Sequence, residues 1–230
     1  MLRTRLLLLL LLGFTATLAS VSVEAGPAQT NPDWHAKVRQ FAYDHFHHPA
    51  WGFSHSVRDY DLARALARED KVVLDDDVLY AAAYLHDMAA FAPWDREKEG
   101  IDHADEAARI VDTVLKDTGF PMKKIDAVRA AIKTHMFDRD PVGAEAKYLH
   151  DADALDWLGA VGVARIMALV DPNGGDPDGP KAVKMLVDNL AAVPGRVISA
   201  AGQRMAKTRA EELRRFLNEL HGETDDLRTL

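Results

Sequence analysis

The sequence predicts an all-α protein, and three observations carry that expectation. Apolar residues recur at spacings of three and four from about residue 32 onward. No stretch shows sustained two-residue alternation rich in Val, Ile and Thr. The composition is that of an ordinary globular chain, 48% hydrophobic and 28% charged with only 14 Gly and 10 Pro, and 230 residues suit one domain rather than two.

The first predicted helix shows Trp34, Val38, Phe41 and Ala42 on one face, with Asp33 as its cap. A second shows Val57, Leu62, Ala65 and Leu66. The third, with Val78, Leu79, Ala82, Ala83 and Leu85, opens on the acids at 75–77, whose charge suits a helix N-terminus. Ala107, Ile110, Val111, Val114 and Leu115 make a fourth that closes at Gly119. Pro121 opens a fifth, which carries Ile125, Val128, Ala131 and Ile132. Four more cover residues 145–158, 161–169, 181–190 and 199–221, with 171–180 as a loop and 223–230 as a fraying end.

The first 25 residues are of another kind. Arg3 and Arg5 precede unbroken leucine at 6–12, the apolar run continues to about Leu18, and Val23-Glu24-Ala25 fits a small-x-small cleavage pattern. This predicts a cleavable signal peptide over residues 1–25, hence an exported, periplasmic or extracellular protein of residues 26–230. The apolar core is shorter than the roughly 20 residues that span a bilayer, so no stable membrane anchor is expected after cleavage.

Charge and composition exclude several classes. A formal charge of −8 gives no basic excess for nucleic acid or an anionic membrane surface. Without cysteine there is no disulfide and no Cys-bound zinc, so any metal must sit on His and carboxylate ligands. Ten histidines are more than packing requires.

The chemistry concentrates in three places. An apolar helical run ends in the doublet His86-Asp87, His55 begins a second helix after Trp51-Gly52-Phe53-Ser54, and Asp151, Asp153 and Asp156 sit among small apolar residues. Buried acids are costly unless paired or bound to a metal. Each element alone also fits a buried His bonded to a carboxylate; together and in this order they point to a metal site.

The order His55-Ser56-Val57-Arg58, Leu85-His86-Asp87, residues 130–135 ending in Lys133-Thr134-His135, and residues 151–159 resembles the HD-domain phosphohydrolases. Within them it is similar to a small subgroup that closes the last motif with Gly-Ala-x-Gly-x-Ala-Arg, here Gly159 to Arg165. The run Ala206-Lys207-Thr208-Arg209 through Phe216-Leu217 is similar to that subgroup's last helix, so the resemblance spans about 34–223.

The resemblance implies a single HD-domain bundle, with a metal-site core at about 34–170 and C-terminal helices at about 181–221. It implies that His55, His86, Asp87 and Asp153 bind one divalent cation, Mn favoured and Fe, Co, Ni, Zn or Mg compatible, with a second ion disfavoured. Asp153 is preferred to Asp151 because Ala152 to Leu155 matches the family setting, which leaves His150-Asp151 a decoy. Asp87, His135, His103 and Arg58 are expected to be catalytic, and Arg58, Lys133 and Arg165 to contact phosphate. His45, His47 and His48 are read as surface residues or supports.

These expectations add up to an exported metal-dependent phosphohydrolase that cleaves phosphate or pyrophosphate from a nucleotide or other small phosphoester. Two alternatives stand beside it: a metal-dependent hydrolase or oxygenase on a non-phosphate substrate, and a metal-containing binding module. Neither the substrate nor the oligomeric state is written in the sequence. Residues 88–100 and 171–180 depart from the family pattern, and the first segment is expected to shape substrate choice.

Overall fold

A computed structural model describes residues 34–230. The expected signal peptide and the cap at Asp33 lie outside the described residues. Those residues form nine α-helices: α1 Trp34–His45, α2 Phe53–Glu69, α3 Asp76–Leu85, α4 His103–Leu115, α5 Ile125–Lys133, α6 Ala144–Asp156, α7 Gly159–Met167, α8 Gly179–Ala192 and α9 Ala200–Glu223. No strand occurs among the described residues. No helix among them is long and apolar enough to cross a membrane.

α3 is the axis of the domain. Its residues from Val78 to Leu85 are all buried, as expected of a helix that is apolar on every side. α2 packs along α6, and both lie against α3; α1 and α5 cover α3 elsewhere, with α4 behind α5. Leu66, Leu79, Leu85, Leu149 and Leu155 are fully buried in this core. Each such side chain contributes about 1.5–3 kcal/mol of burial free energy. α7, α8 and α9 form a second group that joins the core through α6 and, from α9, through the end of α2.

Short polar side chains start the helices. Asp75 accepts from the backbone N–H groups of Asp77 and Val78, Asp102 from Ala104 and Asp105, and Ser199 from Gly202. Several boundaries differ from the periodicity by one or two residues, and two differ more tellingly. Pro121 precedes a 3₁₀ turn at Met122–Lys124, and α5 begins only at Ile125.

The sixth helix stops at Asp156 instead of reaching residue 158. Gly159 reverses the chain there with φ +63°, and a Cβ on it would lie 2.9 Å from Glu212 Oε2. A Cβ on Gly162 would lie 2.3 Å from the Trp157 carbonyl oxygen. These two glycines permit the sharp α6–α7 corner that folds Arg165 back toward the end of α6.

Candidate metal centre

α3 runs out just before the doublet. His86 keeps helical torsions (φ −57°, ψ −39°), whereas Asp87 leaves them (φ −95°, ψ 9°). The two side chains close on one point, with His86 Nε2 3.3 Å from Asp87 Oδ2. His55, from the first turn of α2, places its Nε2 3.4 Å from that of His86 and 3.6 Å from Asp87 Oδ2. Asp153, one turn from the end of α6, brings Oδ1 to 3.3 Å from His55 Nε2. The four expected ligands are thus gathered from three helices.

The imidazoles are oriented for ligation. His86 Nδ1 donates to the Ala83 carbonyl at 2.9 Å and His135 Nδ1 to the Ile132 carbonyl at 2.6 Å. A carbonyl only accepts, so Nδ1 carries the hydrogen and Nε2 of each neutral ring presents a lone pair. His55 Nδ1 donates to Asp156 Oδ2 at 2.8 Å, again turning Nε2 inward. Histidines held this way are the usual metal-ligating kind. Two Nε2 atoms facing each other at 3.4 Å need a proton or a cation between them.

Asp87 serves two groups. Its Oδ2 faces His55 and His86, while its Oδ1 lies 3.4 Å from His103 Nε2 and 3.6 Å from His135 Nε2. The Nε2 of His135 is buried with no hydrogen-bond partner among the described residues. Asp87 Oδ1 thus faces both His103 and His135, and Asp87 and His135 fall with His86 in a second group of donor atoms within 4.8 Å of one another.

Burial works against every charge here, and the neighbours decide the outcome. Burial lowers His55, but Asp59 and hydrogen bonds to Asp153 and Asp156 carry it up to about 10. Burial raises Asp87, yet His86, His103 and His135 hold it well below the ordinary carboxylate range. Asp153 is lowered against its burial by His55. Burial dominates at His86 and lowers it, whereas the Asp87 carboxylate raises His103 despite its burial.

Asp59 has no place in the expected site, and Asp156 is expected only as one of three buried acids with no role of its own. Asp59 follows His55 by one helical turn and is fully buried, with Oδ2 3.2 Å from His55 Nε2 and 3.7 Å from His86 Nε2. Asp156 receives His55 on one side and two arginines on the other, Arg58 Nη2 at 2.7 Å and Arg165 Nη1 at 3.0 Å. Spacing was the only signal available: Asp59 is four residues from His55, and Asp156 three from Asp153.

The expected phosphate contacts divide. α2 packs along α6, and Arg58 donates through Nε and Nη2 to Asp156 and is not among the residues lining the cavity over the centre. Lys133 lies on a separate, exposed groove with Asp105, Arg109 and Arg129. Arg165 does line the cavity. It is buried over the Trp157 ring at 3.6 Å, with Nε donating to the Ala50 carbonyl at 2.5 Å. Its Nη1 is within ion-pair distance of Asp156 but not aligned for a hydrogen bond, and Nη1 and Nη2 have no hydrogen-bond partner among the described residues.

Other candidates point elsewhere. Asp151 accepts from the backbone N–H groups of Ile198 and Ser199 and so ties α6 to the start of α9, with His150 beside it at 3.0 Å. His48 stacks on Trp51 at 3.4 Å, and His47 contacts the Asp44 carbonyl. The cavity is about 540 Å³ and has His55, Asp87, His103, Asp153 and Arg165 in its wall. Part of the 88–100 segment, Ala89, Ala90, Asp95 and Glu97, forms another side.

Fold and site together define a helical domain whose His and Asp side chains could hold a divalent cation beneath an open cavity. Residues 52–158 match the HD domain family model. No curated protein matches the chain. Among solved structures, a predicted HD superfamily hydrolase from an uncultured Thermotogales bacterium is 25% identical, with TM-score 0.57, over 83% of this chain and 91% of its own. Bacillus subtilis YpgQ in complex with ADP is 21% identical, with TM-score 0.61, over 82% and 97%. An HD-superfamily hydrolase from Bacillus thuringiensis is 21% identical, with TM-score 0.58, over 83% and 96%. The chain carries an HD domain and is similar to HD superfamily hydrolases.

Proposed function

We propose that the protein is an exported metal-dependent phosphohydrolase that releases phosphate or pyrophosphate from a nucleotide or another small phosphoester. The observation that carries this reading is a buried guanidinium, Arg165, whose terminal N–H groups have no hydrogen-bond partner among the described residues, in the wall of the cavity that also exposes His55, Asp87 and Asp153. A cation donor and an anionic metal cradle within one cavity suit a phosphoryl group. The ADP bound to Bacillus subtilis YpgQ supports a nucleotide as the ligand class. Export rests on the composition of residues 1–25.

His55, His86, Asp87 and Asp153 would hold one divalent ion, with Mn favoured. Bound there, it would lower the pKa of a water and polarise the phosphorus centre. Asp87, whose Oδ1 faces His103 and His135, would orient a water on the cavity side. Arg165 neutralises charge on the phosphoryl oxygens. His103 faces the cavity, and Asp87 raises its pKa, so it carries the proton for the leaving oxygen. His135 is deeper and supports Asp87 instead of meeting substrate.

The test is product release from a panel of nucleotides and sugar phosphates with Mn, Mg, Co, Ni or Zn, using the chain from Gly26 beside Asp87→Asn. Metal-dependent phosphate or pyrophosphate that disappears in the variant supports the reading; no turnover with any metal removes it. A second reading, two ions and a non-phosphate substrate, is favoured by one observation: His103 and His135 both face the second oxygen of Asp87.

A further inference from the structure

A buried carboxylate without a hydrogen-bond partner is costly for a protein interior to hold. Asp59 is fully buried, and neither of its oxygens has a hydrogen-bond partner among the described residues. Its position on α2, four residues after His55, puts both side chains on one helix face. Oδ2 is 3.2 Å from His55 Nε2 and 3.7 Å from His86 Nε2, and together with Asp153 these residues offer donor atoms all within 4.8 Å of one another. Asp59 does not line the cavity. It closes the centre from beneath and leaves the open side to water and substrate.

We infer that Asp59 is a fifth protein ligand to the cation held by His55, His86, Asp87 and Asp153. The inference rests on the metal-centred reading proposed above and adds to it. Three carboxylates with two imidazoles form a harder, more anionic set than two with two. Such a set suits an octahedral ion such as Mn²⁺ better than four-coordinate Zn²⁺. Five protein donors also leave a six-coordinate ion one water, where four would leave two.

Two measurements test it. On the purified wild-type protein with less than one equivalent of Mn²⁺, ¹⁷O-water electron–nuclear double resonance should count one inner-sphere water; two or more would overturn the assignment. In calorimetric titrations, Asp59→Asn should lose at least about tenfold in Mn²⁺ affinity, since even the loss of an outer-sphere partner costs roughly 10- to 100-fold. Its Zn²⁺ affinity should fall less. Asp87→Asn is the companion variant. Weak binding in Asp87→Asn with unchanged binding in Asp59→Asn overturns the fifth ligand alone. Unchanged binding in both overturns the metal reading with it.

Discussion

Asp156 Oδ2 accepts the Nδ1 hydrogen of His55 at 2.8 Å. The same carboxylate gathers Arg58 and Arg165, so one buried acid fixes both a candidate metal ligand and the cation of the cavity wall. His55 and Asp156 are 101 residues apart, and the packing of α2 along α6 joins them. Burial raises Asp156, but His55, Arg58 and Arg165 hold it far below the usual carboxylate range. A group placed this way positions others; it does not itself line the cavity.

Replacing Asp156 with Asn should therefore affect two properties at once. Loss of the charge leaves Arg165 buried without its counter-ion, a change that costs about 3–5 kcal/mol in stability. The weaker acceptor also loosens His55, and Mn²⁺ affinity should fall about 10- to 100-fold. Chemical denaturation and calorimetric titration measure the two effects. A variant with wild-type affinity would show that His55 is oriented by something else.

The proton on His55 predicts opposite pH trends with and without metal. In the metal-free protein its pKa is about 10, against about 6.5 for an unperturbed histidine. The folded state thus holds the proton more tightly, and that stabilisation is complete below pH ~6.5 and lost as pH rises toward 10. Metal binding needs the bare imidazole and releases the proton. From pH 7 to 9 the metal-free melting temperature should fall while Mn²⁺ affinity rises by up to about tenfold per unit. Titrations in buffers of different ionisation enthalpy count the proton; an affinity flat in pH would contradict this origin.

Much of this arrangement was legible in the sequence, and the exceptions have physical reasons. The helices show because one face of each must be apolar, and α3 shows most clearly because all its faces are. His55 and the His86-Asp87 doublet stand out because each sits at a helix start or end, whereas the choice of Asp153 among three neighbouring acids rests on the family resemblance. Asp59 does not stand out, since Arg58-Asp59-Tyr60-Asp61 reads as a solvated face and nothing local reveals that α6 covers it. Arg58 reads as a substrate contact because it follows His55 by one turn on the same helix face. Its partner, Asp156, lies on another helix, and spacing within α2 carries no information about that. Arg165 depends on the Gly159 corner, whose positive φ no periodicity reports.

Arg165 should separate binding from folding. Its Nε is tied to the Ala50 carbonyl and its plane lies on Trp157, so a lysine cannot reproduce the site. The terminal nitrogens are buried without a hydrogen-bond partner among the described residues, and on the proposed reading substrate phosphate supplies that partner. A charge-assisted hydrogen bond contributes about 1.5–3 kcal/mol, so Arg165→Lys should lower kcat/KM roughly 10- to 100-fold. Inorganic phosphate should inhibit the variant less well than the wild type. Arg58→Ala, at a side chain about one-third exposed and turned to Asp156, should cost activity less. Equal losses in the two would return Arg58 to the substrate.

The last expectation concerns the number of ions. The first donor set is complete without His103 and His135, yet both present Nε2 to Asp87 Oδ1 at 3.4 and 3.6 Å. Three donors with one shared carboxylate should hold a second cation, but less tightly than the first set, which has more protein donors and is more deeply buried. A Mn²⁺ titration should show one strong event and one weaker, and His103→Ala should remove only the weaker. Asp87→Asn should damage both, because its two oxygens face both sets. If phosphate release saturates with the first event, the second ion is not needed for that chemistry. If turnover appears only as the second site fills, or appears only with a non-phosphate substrate, the two-ion reading takes over. Retention of both events in His103→Ala would mean that this histidine serves substrate alone, as the proton donor its place in the cavity wall allows.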